Sequence, residues 1–263
     1  MLRRLKQWQR RRIVRRHALA SNLWRQVTAT LPILDGLSQG ELDRLRFQVT
    51  LFVHEKQFYG AHGLTLTDAM QTTIAAQACL PILNLDFDYY RGWYSIICYR
   101  DAFIARHADM DTAGVVHASQ RVLTGEAWEH GPVVLSLADA TPGAEPFGAG
   151  TNVVIHEMAH KLDMLTGHAN GLPPLHRTMR TARWAAAMSA AYEELVRDVQ
   201  RANPQPFDPY GAESPAEFFA VMSECFFAAP ALLAGVRPQV YAQLAAFYRQ
   251  DPAQRRRAAG SAG

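Results

Sequence analysis

Hydrophobic positions along the chain recur at two spacings, one helical and one of the strand type. Leu42, Leu45, Val49 and Phe52 fall three or four positions apart behind Ser38-x-x-Glu41, which predicts a helix opening on a capping box. A second helix is expected from Asp68 to about Leu80, stopped by Pro81. The apolar run N-V-V-I-H-E-M-A-H-K-L-D-M-L at 152–165 reads as a buried helix, with Asn152 placed to cap its start and Gly167 just past its end. Beyond G-L-P-P at 171–174, the stripe Trp184, Met188, Ala191, Leu195 and Val199 predicts a long helix over 176–202. Ser214-Pro215 marks another helix start, and a last helix is expected over 237–250. Two runs are of the strand type, W-Y-S-I-I-C-Y at 93–99 and G-P-V-V-L-S-L at 131–137. The second ends before a Pro/Gly-rich loop, 139–150, that leads into the 152–165 helix. Its edge is open to pairing with an extended peptide, with a plain inner strand as the alternative. The expected class is α+β, mainly helical, with a small sheet beside the 152–165 helix.

Composition narrows the setting. The chain has 263 residues, 49% of them hydrophobic, which suffices for one domain with its own core, placed at 21–252. Cys79, Cys98 and Cys225 are odd in number and widely spaced, so neither a disulfide framework nor a thiolate metal site is indicated. No apolar run reaches the about 20 residues that cross a bilayer, and no signal-peptide core follows the basic start. A cytoplasmic location is expected. Eight of the 27 Lys and Arg lie within residues 1–16, where there is no acidic residue; the other 19 face 24 Asp and Glu, a body of net charge −5. Residues 1–20 therefore form a basic arm, with Leu2, Leu5, Trp8 and Ile13 in an apolar stripe that Arg12 and Arg16 interrupt. It is either a solvated helix lying on the body or a docking element for a partner or an anionic surface. Residues 253–263, rich in Arg, Ala and Gly, are expected to be disordered. With an acidic body and no nucleic-acid module in the sequence, direct nucleic-acid binding is not expected.

The chemistry concentrates at His156-Glu157-Met158-Ala159-His160. Positions i and i+4 of a helix lie about 40° apart in azimuth and one turn apart in height, so both imidazoles can grip one ion. Glu157, between them, can reach a water on that ion, the arrangement of H-E-x-x-H zinc hydrolases. A second His-Glu pair, His54-Glu55, lacks the second imidazole and reads as ordinary surface or structural chemistry. A catalytic zinc takes three protein ligands. The longer H-E-x-x-H-x-x-G-x-x-H pattern fails, because Asp163 and Thr166 stand where its glycine and third histidine would be. The candidates for the third ligand are Glu213, Glu217, Glu224, His168 and His176. Glu217 is preferred, since it enters a helix beside two phenylalanines where an unpaired carboxylate is expensive. Ser214-x-x-Glu217 is also a capping box, however, and spacing alone leaves Glu217 as either ligand or cap. Asp163 is either a partner orienting an imidazole or a plain exposed acid.

Six separated segments carry a resemblance: H-E-K-Q-F-Y-G-A-H-G-L-T-L-T-D (54–68), I-A-A-Q-A-C-L-P-I-L-N (74–84), G-P-V-V-L-S (131–136), H-E-M-A-H-K-L-D-M (156–164), A-N-G-L-P-P-L-H (169–176), and D-P-Y with S-P-A-E-F-F-A (208–220). Together they resemble the Mlc titration factor A family of zinc peptidases, over about residues 30–252. The resemblance implies a zincin-like metallopeptidase fold and one Zn2+ per chain held by His156, His160 and Glu217. It implies Glu157 as general base toward zinc-bound water and Tyr210 as a residue assisting catalysis. It further implies aminopeptidase-type activity on a peptide substrate, and binding of the transcriptional repressor Mlc in the regulation of sugar uptake. A regulatory protein that only sequesters a repressor is the alternative, though such a scaffold has no need of the base Glu157. No G-x-S-x-G, P-loop or dinucleotide fingerprint points to another enzyme class.

Overall fold

Ser38 opens its helix as the spacing predicts: its hydroxyl accepts from the Glu41 N–H, and the Glu41 carboxylate accepts from the Ser38 N–H at 2.9 Å. In the computed structural model, which describes residues 2–110, 116–123, 125–128, 131–141 and 150–260, this is α3 (Gln39–Glu55). It follows α1 (Leu2–Arg16) and α2 (Ser21–Ala29) and packs on α4 (Asp68–Cys79), capped by Thr67. Leu45, Val49 and Phe52 are fully buried, as their spacing requires.

The sheet is small and mixed. β1 (Gln57–Gly60) runs parallel to β2 (Ser95–Tyr99), a separate hairpin pairs β3 (Phe103–Met110) with β4 (Val116–Leu123), and β5 (Gly125–Ala127) lies antiparallel to β6 (Val133–Ser136). With β2 and β6 also parallel, the main sheet has the order β1-β2-β6-β5. All four residues of β6 are buried, which is why it reads as a continuous apolar run. The 131–137 strand is thus an inner one and does not offer the edge; β5, packed against the helix of the His pair, does.

After α5 (Leu137–Ala140), residues 142–149 of the Pro/Gly-rich loop lie outside the described residues. α6 (Val153–Asp163) starts at Asn152, whose side-chain oxygen accepts from the Ile155 N–H at 2.9 Å. It ends through a 3-10 turn at Gly167, whose φ of +121° suits glycine. α7 (Thr181–Gln200) begins later than the expected residue 176, and the His176 ring meets Phe247 O at 2.7 Å. α8 (Pro215–Ala228), α9 (Pro230–Val236) and α10 (Pro238–Tyr248) follow, and one apolar core joins helices and sheet through Ile96, Leu135, Ile155, Phe219 and Phe247.

Both chain ends differ from a loose tail. The expected disordered tail is corrected over most of its length by α11 (Pro252–Gly260), with only 261–263 outside the described residues. Arg255 donates to the carbonyls of Ile33 (3.0 Å) and Asp35 (3.1 Å), and Arg256 to those of Ala228 (2.8 Å) and Phe227 (2.9 Å). Carbonyls supply the order that apolar residues do not. At the other end, Ile13 and Val14 rest on the core while Lys6 pairs with Asp88 and Arg10 with Asp86 and Asp88. Of the apolar stripe in the arm, Ile13 packs and Leu5 and Trp8 face water; the Leu2 side chain lies outside the described part. No helix among the described residues is long and apolar enough to cross a membrane.

Candidate metal centre

α6 sets the His156 and His160 rings one turn apart, with centroids 4.8 Å apart and Nε2 atoms 3.2 Å apart. The first turn of α8, packed on α6, brings Glu217 Oε2 to 3.0 Å from His156 Nε2 and 3.2 Å from His160 Nε2. The three donor atoms lie within 4.8 Å of one another. Two nitrogens and one carboxylate oxygen converging in this way are compatible with a bound metal ion. The backbone N–H of Glu217 donates to Ser214 Oγ at 3.2 Å, while its carboxylate faces the imidazoles and does not return to close the box.

Glu224 stands behind the pair. Its Oε1 lies 2.7 Å from His156 Nδ1, and its other oxygen accepts from the Asn152 N–H at the start of α6. In the neutral ring with Nδ1 donating to Glu224, the lone pair of His156 is on Nε2. Glu224, one of the candidate ligands, is therefore an orienting partner. Glu213 and His168 are exposed and outside the cluster, and His176 stacks on Phe247. Asp163 is fully buried, accepting from the N–H groups of Asn170 (2.8 Å) and Gly171 (2.6 Å), so it fastens the turn after α6 and is not an exposed acid.

Electrostatics follow from this crowding. Burial alone would raise the Glu217 carboxyl, but the facing imidazoles outweigh it and hold it well below the usual range. Burial works against protonation of His156, yet the Glu224 and Glu217 carboxylates raise its pKa well above the ordinary value. Burial pushes Glu157 up to about 7 against the pull of both imidazoles. Among the described residues Glu157 Oε2 is buried without a hydrogen-bond partner. Its Oε1 lies against Gly125 of β5, where an added Cβ would come within 2.7 Å of Val153 Cγ2 and closer still to the carboxylate. Tyr210, in a 3-10 turn capped by Asp208, stands with its ring 6.0 Å from that of His156.

Lys161 and Gly125 were not singled out by the sequence. Lys161 is buried, and its ammonium donates to the carbonyls of Trp128 and Gly131 (3.0 Å), tying the β5–β6 turn to α6. A lysine within a buried apolar run was the available signal, since such a charge needs carbonyls around it. The seven-residue spacing of Glu217 and Glu224 on one helix face was the corresponding signal for the orienting role.

The profile of the glucose-regulated metallo-peptidase M90 family matches residues 5–249. The chain belongs to this family. Relatives called Mlc titration factor A from Yersinia pestis (strain Pestoides F) and Yersinia pseudotuberculosis (serotype O:1b, strain IP 31758) are each 38% identical to it over 226 residues, 84% of this chain and 82% of theirs. The M90 match takes in most of α1 as well as the body, so the arm falls within the family's span.

Proposed function

We propose that the protein is a cytoplasmic zinc metallopeptidase of zincin-like fold, aminopeptidase-type, with His156, His160 and Glu217 as ligands. The observation that carries this reading is the convergence of those three donors beside a buried Glu157 that has no hydrogen-bond partner for one oxygen among the described residues. The ion, when bound, supplies Lewis acidity to the scissile carbonyl and the attacking water. Glu157 accepts the proton of the attacking water and passes it to the leaving amine. The Tyr210 hydroxyl donates to the developing oxyanion, a contact worth about 3 kcal/mol in a water-excluded site. The outer side of β5 offers backbone groups to an extended peptide, which would lie beside Glu157 because Gly125 does. Preference for a free amino terminus rests on the family resemblance.

A second reading, sequestration of a repressor such as Mlc, is favoured by the name of the Yersinia relatives and is compatible with the first. The test is metal analysis of the purified protein together with hydrolysis of a panel of free-amine and N-blocked peptides. One zinc per chain and peptide hydrolysis are expected. Glu157→Gln should keep its zinc and lose at least about 100-fold in turnover. A metal-loaded Glu157→Gln protein with full activity overturns the mechanism. A zinc-loaded wild type that binds Mlc and cleaves nothing favours the second reading.

A further inference from the structure

The two faces of α1 have different chemistry. Lys6, Arg10, Ile13 and Val14 fix the inner face to Asp86, Asp88 and the core, and the Arg10 guanidinium lies 5.2 Å from the centre of the Phe87 ring. On the outer face Leu5 is 52% and Trp8 56% exposed, with the Arg12 guanidinium 5.6 Å from the Trp8 ring. Arg4, Arg11, Arg12, Arg15 and Arg16 are all exposed. At about 100° per residue they fan out on both sides of Leu5 and Trp8. No acidic residue precedes Asp35 in the sequence, so nothing on α1 itself neutralises this face.

We infer that the outer face of α1 docks the protein, flat, on an anionic lipid surface. Leu5 and Trp8 enter the headgroup region, where a tryptophan ring finds both apolar and polar surroundings, and the arginines pair with lipid phosphates. Charge complementarity selects the surface and its orientation. The body carries a net charge of −5 beyond residue 16, so an anionic surface favours the approach led by the arm. The apolar pair separates a lipid surface from a nucleic acid. A phosphate backbone offers no apolar depth for a leucine and tryptophan held side by side. Because α1 is already folded and fixed on the body, docking requires little ordering of the chain. The inference is independent of peptide hydrolysis.

The experiment is cosedimentation of the full chain with vesicles of phosphatidylcholine, alone or with about 30% phosphatidylglycerol, at low and high salt. Wild type should bind the anionic vesicles only, at least about ten-fold more weakly when the salt rises from about 0.05 to 0.5 M. Trp8→Ala should weaken binding about five- to ten-fold and keep the salt dependence. The Arg11→Gln/Arg15→Gln double variant should remove most binding and flatten that dependence. All these side chains are exposed, and unchanged far-UV circular dichroism and zinc content verify the fold; Leu5→Gln gives a second apolar probe. Glu157→Gln should bind like wild type, which keeps this result separate from any result on hydrolysis. Equal binding to neutral vesicles, wild-type binding by both Trp8→Ala and Leu5→Gln, or tighter binding to duplex DNA or polyglutamate than to the vesicles overturns the inference.

Discussion

Glu217 has two duties that use different atoms, a backbone N–H given to Ser214 and a carboxylate turned toward His156 and His160. Its spacing was that of a capping box, and spacing could not reveal that the side chain leaves the box open. Glu224, about two turns further along the same face of α8, meets His156 at its far nitrogen and takes no part in the three-donor cluster. The two acids should therefore separate in a metal titration against a chromophoric chelator. Glu217→Ala removes a donor and should abolish stoichiometric zinc. Glu224→Gln keeps a hydrogen-bond acceptor for Nδ1 and should weaken affinity by roughly 10–100-fold, the usual cost of disturbing a ligand's orienting partner. If Glu224→Gln loses the metal outright while Glu217→Ala retains it, the assignment of the two is reversed.

Among elements, β5 is three residues long yet borders the site, because it is the sheet edge packed on α6 and Gly125 lets it lie against Glu157. Gly125→Ala should retain zinc, since no ligand is displaced, and lower peptide turnover at least about ten-fold by displacing the base. Zinc-loaded Gly125→Ala with wild-type turnover would show that Glu157 has room to move. The sequence revealed α3, α4, α6 and β2, each of which has caps or an unbroken apolar run, and it revealed the His pair. It did not reveal β1 or β5, which are too short to show a period, or place β6 inside the sheet, because strand order depends on partners distant in sequence. α11 was hidden for another reason. Its hold on the body is Arg255 and Arg256 donating to carbonyls, which leaves no hydrophobic stripe to read.

At the scale of the molecule, α11 matters because Arg256 caps the last carbonyls of α8, the helix that carries Glu217. Ending the chain at residue 251 removes these bonds and those of Arg255, a loss on the order of 2–4 kcal/mol. In a protein of this size the thermal midpoint should fall by roughly 5–15 °C. A truncated chain that melts with the full one would show the helix to be an ornament. The distance along the chain between the donors also has a kinetic consequence. His160 and Glu217 are 57 positions apart, so three donors face one another only after α8 has docked on α6. Metal capture then follows the slow long-range assembly and does not guide it. A bound ion behaves as a clasp fastened last: it lengthens the lifetime of the native state while leaving the speed of reaching it unchanged.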